Sequence, residues 1–192
     1  MIRNLLVVLV VFFSTVSYAG TSVEELFFED VRADALKILT ADNMKDEKKE
    51  KKLSKLITKN IAKLQISRSV LGQPWRDLTK SEKREYVKVL SIWVGKIIAR
   101  RLISFKIKED VKIVKVYKGS NEVVIIRTQA DNPDNNKKVT IDWYIRTIKN
   151  SPKVIDIAVE NVSMISTQRS EFISVYSQVG IRGLIDKMKS QY

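Results

Sequence analysis

The apolar residues of this chain change their spacing near Phe105, and this change limits the folds that the chain can adopt. From Tyr86 to Leu102 apolar residues recur every three or four positions, which predicts the longest helix of the chain. From Val111 onward they alternate with polar residues, which predicts strands separated by turns. Helical spacing returns after Thr167. We therefore expect one α+β domain, in which several helices pack on a curved, mostly antiparallel sheet.

Local signals predict where the first helices begin. Residues 22–25 and 79–82 both have the spacing of a capping box, in which a hydroxyl side chain and a glutamate three residues later satisfy each other's backbone amides. The first helix should end near Thr40. The second should be solvated in the lysine-rich run at 45–52 and packed from there through Leu64. Such a run is usually a hydrated helix end, and the functional alternative is contact with an acidic partner or a membrane.

Glycine, proline and asparagine predict the interruptions of these elements. Gly72 and Pro74 should separate the second helix from the long one, and Gly180 should divide the last helical segment. The run at 131–136 contains residues that favour turns and should be a loop. The expected strands cover 111–117, 123–128, 139–145 and one or two more between 154 and 165.

Composition excludes most catalytic chemistry. The chain has neither cysteine nor histidine, so it lacks thiol nucleophiles, imidazole bases and nearly every kind of structural zinc site. Asp142 and Asp156, on neighbouring predicted strands, are the only carboxylate pair that we consider for acid–base work, and the ordinary interpretation is that such groups are solvated or ion-paired. We therefore predict no enzyme activity, no metal site and no cofactor.

The N-terminal residues resemble an export signal. Arg3 precedes an uncharged apolar run at 5–13, and small residues stand at Ser17 and Ala19. The run is too short to span a bilayer, which takes about 20 residues. We expect a signal peptide at 1–19 and a single mature domain at 20–192. With 35 Lys and Arg against 22 Asp and Glu, the chain carries a formal charge of +13, which for an exported protein favours anionic lipid headgroups or cell-wall polymers over nucleic acid.

The predicted sheet and the long helix carry more apolar residues than a small sheet requires. A filled core explains these residues, and a pocket for an apolar ligand between the helices and the curved sheet explains them as well. Periodicity does not separate the two interpretations.

Four segments of the chain carry a resemblance to a known family. They lie in order between Gln65 and Ser190 and comprise Val70-Leu71-Gly72-x-x-Trp75 with Thr79-x-x-Glu82, Ile155-Asp156-Ile157-x-Val159-Glu160-Asn161-Val162-Ser163-Met164-Ile165, Arg169-Ser170-x-Phe172, and Gly180-Ile181-x-Gly183-Leu184-Ile185. They resemble the periplasmic phospholipid-binding component of the Mla system, also called the toluene-tolerance family. The chain departs from the family pattern at Asn161, where the family has glycine, and at Glu82, where it has glutamine.

The resemblance implies a periplasmic carrier with a deep apolar pocket for phospholipid acyl chains and no catalytic role. It implies shuttling between an outer-membrane lipoprotein–porin complex and an inner-membrane ABC transporter with a lipid-binding ring domain, which maintains outer-membrane lipid asymmetry. Two alternatives stay open: a carrier of another apolar lipid such as a hopanoid, and an adaptor that binds proteins instead of lipid. The residues predicted to contact lipid are Trp143, Ile145 and Ile165, followed by Ile141, Val162, Tyr86, Leu90, Trp93 and Ile97.

Overall fold

The computed structural model describes residues 21–104, 111–131 and 137–191. The predicted signal peptide and most of the predicted loop at 131–136 lie outside the described residues. The helices are α1 (Val23–Leu39), α2 (Asp46–Asn60), α3 (Lys63–Leu71), α4 (Lys80–Ser104) and α5 (Met164–Ser190), with a 3₁₀ turn at Gln73–Arg76. The strands are β1 (Lys112–Lys118), β2 (Val124–Asp131), β3 (Lys138–Ile148), β4 (Ser151–Val159) and β5 (Val162–Ser163). This order confirms the expected α+β fold.

Both predicted capping boxes form. At the start of α1, the Ser22 amide donates to the Glu25 carboxylate at 2.7 Å and the Glu25 amide donates to the Ser22 hydroxyl at 3.2 Å. Before α4, Thr79 and Glu82 make the same reciprocal pair at 2.9 and 3.2 Å. Each box satisfies amides that the first helical turn would otherwise leave unpaired, so these helix starts are encoded locally.

The predicted second helix is in fact two helices. Ile61 has extended backbone between α2 and α3 and forms a parallel bridge with Val154 of β4. The Ala62 amide donates to the Val154 carbonyl at 2.9 Å, a bond that a continuous helix would direct to its own previous turn. The prediction of a helix packed through Leu64 was therefore wrong, because a contact with the sheet replaces the helical bond. Leu64 itself is exposed.

Helix α4 packs mainly against α2, α3 and α5. These helices cover much of its apolar stripe. At Gly95, α2 approaches so closely that an added Cβ would overlap the Thr58 hydroxyl and lie 2.9 Å from the Ser54 carbonyl oxygen. The missing side chain allows α2 and α4 to pack at this distance.

The five strands form an antiparallel meander in chain order, β1-β2-β3-β4-β5. Side chains alternate between the two faces, so Ile126 and Trp143, which are directly opposed, point toward the helices. Between Tyr144 and Ile145 of β3 the register shifts, because β4 has one extra residue, Ile155, and such a bulge bends β4. After β5 the chain enters α5, which is broken at Gly180 with φ 64°, as the sequence predicted.

Candidate functional site

A cavity of about 160 Å³ lies between α1, α2, the end of α4 and the β3–β4 part of the sheet. Apolar side chains of α1 form one wall, and apolar side chains of α2 form the adjoining wall. The floor consists of Trp143 from β3 with Val154 and Ile157 from β4. The helix contributions are Phe27, Phe28, Val31, Ala35, Leu36 and Leu39 from α1, Leu53, Leu56 and Ile57 from α2, and Ile98 and Leu102 from α4.

Helix α1 closes the cavity and is lightly attached to the rest of the molecule. Of its residues only Phe28 is buried, and the ring of Phe28 packs against Trp143 with centroids 5.4 Å apart. The apolar spacing of α1 predicted an inward face, but Val23 and Leu26 at its start are exposed. The inward face of α1 begins at Phe27. Most of its apolar side chains line the cavity and are not packed in a filled core.

Two polar side chains, Arg32 and Asn60, border this otherwise apolar space. Arg32 donates to the Val111 carbonyl at 3.1 Å and forms an ion pair with Glu29. Asn60 donates to the Leu56 carbonyl at 3.0 Å. Because both side chains bond to neighbouring protein groups, the cavity presents mainly hydrocarbon surface. Such a space can accept an apolar chain.

The nine residues predicted to contact lipid are not brought together. Trp143 lines the cavity, and the other eight are absent from its described lining. Tyr86, Leu90 and Ile145 are fully buried in the packed core, while Val162 is exposed. The others are partly buried: Trp93 packs on Phe172, Ile165 packs against the core, and Ile97 and Ile141 lie elsewhere on α4 and β3. For these eight residues lipid contact stays a prediction.

The carboxylate considered first for catalysis, Asp142, forms an ion pair. Arg127 donates to both of its oxygens, at 2.7 and 2.6 Å, and Asp142 is 4% exposed. These hydrogen bonds to Asp142 raise the pKa of Arg127 above its ordinary value. Since neighbouring side chains on a strand point to opposite faces, Asp142 lies on the face of the sheet away from Trp143 and the cavity.

Asp156 organises the start of α5. Its carboxylate accepts from the Ser163 hydroxyl at 2.5 Å and from the Ile165 amide at 3.2 Å. The Ser163 hydroxyl in turn accepts from the Ser166 amide at 3.1 Å, as the N-cap of the helix. The Val-Ser-Met-Ile segment quoted for the resemblance thus forms a structural junction between sheet and helix.

The described residues contain no cluster of three or more acidic side chains placed to hold a metal ion. Among the helices that the structure describes, none is long and apolar enough to cross a membrane.

Helices on an antiparallel meander, with an apolar cavity between the two layers, define an α+β protein with an internal space for an apolar ligand. The sequence model of a family described as MlaC protein matches residues 29–190. The chain therefore belongs to the MlaC family, which confirms the resemblance drawn from the sequence.

A solved structure shares this fold. It is a phospholipid-binding protein from Ralstonia solanacearum in complex with a phospholipid, and it superposes with a TM-score of 0.72 at 17% sequence identity. The match covers 86% of this chain and 94% of the other chain. A search of curated proteins by sequence gives no match.

The sequence-based list of site residues omitted the α1 and α2 walls. The spacing that identifies an inward helix face was present at Phe28, Val31 and Leu36, but the same spacing describes a residue in a filled core. Ala35 is a further signal, because a small side chain within a stripe of large ones leaves space beside it. Ala35 lines the cavity.

Proposed function

We propose that this chain is a periplasmic phospholipid carrier that takes acyl chains into the cavity between α1, α2 and the β3–β4 floor. The observation that carries the proposal is the cavity itself, which is walled on three sides by apolar side chains and whose two polar side chains bond to protein groups. Membership of the MlaC family and the shared fold of a protein solved with a phospholipid support it.

The energetics suit a carrier. Each acyl methylene moved from water into apolar surroundings contributes about 0.8 kcal/mol, so a hydrocarbon-lined space binds lipid without catalytic groups. The headgroup can stay at the mouth of the cavity, in contact with water. We propose that in this role the chain moves lipid between an outer-membrane lipoprotein–porin complex and an inner-membrane ABC transporter, and so maintains outer-membrane lipid asymmetry.

Loading requires the cavity to widen. At about 160 Å³ it is smaller than the roughly 300–1,000 Å³ typical of pockets for drug-sized ligands. Of the cavity walls, α1 can move at the lowest cost in free energy, because Phe28 is its only buried residue. Hydrogen bonds also attach α1 to the strands and the segment before them. Arg32 donates to the Val111 carbonyl, and the Thr147 hydroxyl donates to the Glu24 carboxylate.

The test uses two phenylalanine substitutions on α1. Ala35→Phe fills the cavity, whereas Ala33→Phe places the same ring on the exposed face of the same helix. Mass spectrometry of lipid retained after purification should show phospholipid in the wild-type protein and in Ala33→Phe. Ala35→Phe should retain at least about tenfold less, since excluding even two methylenes corresponds to about 1.6 kcal/mol.

Transfer of phospholipid between vesicles should follow the same order. If Ala35→Phe retains and transfers as much phospholipid as Ala33→Phe, the cavity is not the lipid site. Recovery of a different apolar lipid from the wild-type protein would contradict the assigned ligand, and recovery of no lipid would favour the protein-binding adaptor.

A further inference from the structure

We propose that the outer face of α2 is a docking surface for an anionic membrane. Lys48, Lys52, Lys55 and Lys59 are four, three and four residues apart, and we call these four residues the lysine stripe. All four are exposed. At 1.5 Å per residue the stripe extends about 17 Å along α2. Its length and regular spacing make it an extended positive surface.

The charges of α2 are separated by face. At 100° per residue the four lysines fall within an arc of about 60°, and the carboxylates of the helix lie at least about 80° outside that arc. These carboxylates belong to Asp46, Glu47 and Glu50, and Glu50 pairs with Arg100 of α4 at 3.1 Å. None of the four stripe side chains forms an ion pair or hydrogen bond with another described residue. The stripe therefore keeps its charge available to an outside partner.

The composition of the stripe favours a membrane over a protein partner. Protein interfaces are enriched in aromatic residues and arginine and depleted in lysine. All exposed residues of α2 are lysine, aspartate or glutamate, so the helix presents no exposed aromatic, arginine or large apolar side chain that could anchor a protein interface. Lysine carries a mobile point charge on a flexible stem, which suits a fluid layer of anionic headgroups that need no fixed geometry. The missing apolar residues also mean that docking is electrostatic and reversible.

The lysine stripe and the cavity lie on different faces of the same helix, so docking through the stripe would bring the cavity close to the membrane. Leu53, Leu56 and Ile57, on another face of α2, line the cavity. Docking through the stripe places the cavity about one helix diameter, about 10 Å, from the headgroups. Docking itself does not depend on what the cavity carries, so the membrane surface and the cavity are tested separately.

The experiment measures binding of the mature chain, residues 20–192, to vesicles by co-sedimentation, so that the apolar run at 5–13 does not contribute. One set of vesicles is phosphatidylcholine, and in the other part of it is replaced by the anionic lipid phosphatidylglycerol. In the stripe variant, Lys48, Lys52, Lys55 and Lys59 are each replaced by Gln. The control variant loses the same charge at four exposed lysines on other elements, Lys37, Lys88, Lys112 and Lys118, each replaced by Gln.

The wild-type protein should bind the anionic vesicles, should not bind the neutral ones, and should be released by salt. A lysine near an anionic surface contributes about a fivefold change in affinity, so the stripe variant should bind at least about tenfold more weakly even after screening. The control variant should stay within about threefold of the wild type, because charge far from the contact acts through a screened field. Circular dichroism should show both variants folded.

If the stripe variant and the control variant lose the same amount of binding to anionic vesicles, the proposal is wrong, because net charge alone would then explain the binding. The proposal would also be overturned if the stripe variant binds as well as the wild type, or if the wild-type protein does not bind anionic vesicles. Lipid retained in the cavity after gel filtration provides the separate readout. It should be the same in the stripe variant and the wild type, so a failure of docking is distinguishable from a failure of lipid binding.

Discussion

The two halves of the domain use the same kinds of residue and pack them differently. In the half formed by α3, the first part of α4 and α5, the side chains of Tyr86, Leu90 and Leu184 are at most 1% exposed and the core is filled. In the half formed by α1, α2 and the β3–β4 floor, equally apolar side chains surround a cavity of about 160 Å³. Apolar spacing therefore reports which face of a helix points inward, but not whether the space behind that face is filled.

The covering element explains the difference. Helix α5 packs against α3, α4 and β4 and contributes the buried residues Phe172, Leu184, Ile185 and Met188 to the filled half. Over the other half, α1 buries only Phe28. Substitutions in the two halves should therefore differ in their effects on stability.

A charge should be far more damaging in the filled core, which includes Ile145 of β3, than on the cavity floor. Ile145 is fully buried, so Ile145→Asp places an unpaired carboxylate in the core and should cost more than about 4 kcal/mol, enough to unfold a marginally stable domain. Ile157→Asp places the same charge on the cavity floor, where water can enter, and should leave a folded protein with little bound lipid. Circular dichroism melting reports the folding of both. A folded Ile145→Asp would contradict the assignment of Ile145 to a filled core.

Truncation of a leucine should separate the halves without adding charge. Leu184→Ala removes a side chain that is 1% exposed and should lower the free energy of unfolding by about 2–5 kcal/mol. Leu36→Ala enlarges a space that already exists and should cost about 1 kcal/mol, because fewer packing contacts are lost. Urea unfolding gives both values. Equal losses would show that the cavity half is as well packed as the rest.

Gly95 tests the close approach of α2 and α4. Alanine favours a helix by about 1 kcal/mol over glycine, yet here its Cβ would overlap the Thr58 hydroxyl. We expect Gly95→Ala to destabilise the protein by about 1–2 kcal/mol in urea unfolding, within the range for overpacking. Thr58→Ala in the same chain should recover part of this loss in a double-mutant cycle. A more stable Gly95→Ala would show that α2 can move away from α4 at little cost.

Tyr86→Phe should produce the smallest effect at neutral pH. The Tyr86 hydroxyl is buried and has no hydrogen-bond partner among the described residues, so removing it should change stability by less than about 1 kcal/mol. Burial raises the pKa of this hydroxyl above its ordinary value of about 10. Above pH 10 the unfolded chain loses this proton first, so wild-type stability should fall as pH rises, and Tyr86→Phe should fall less steeply. Parallel alkaline profiles in the two proteins would contradict this assignment.

The sequence predicted best what local contacts decide. The capping boxes at Ser22 and Thr79 and the stop at Gly180 depend on neighbours along the chain, and all three are confirmed. The break between α2 and α3 depends on a bond from Ala62 to Val154, 92 positions away, and no helical spacing predicts it. The cavity depends on several helices and strands that leave a gap between them, and a pattern within one element does not describe such a gap.

The two borders of the sheet bear on self-association: β1 forms one border, and β4, covered only at its end by the two-residue β5, forms the other. Strand edges with free amides and carbonyls can pair with another chain. On β4, Pro152 lacks an amide hydrogen, Val154 is occupied by Ala62, and Ala158 and Val159 are paired with β5. On β1 the obstacle is a row of exposed lysines, Lys112, Lys115 and Lys118, with a shift in register between Ile113 and Lys115. Neither border of the sheet therefore pairs easily with a strand of another chain. The sheet can curve around the cavity without exposing an edge that promotes aggregation.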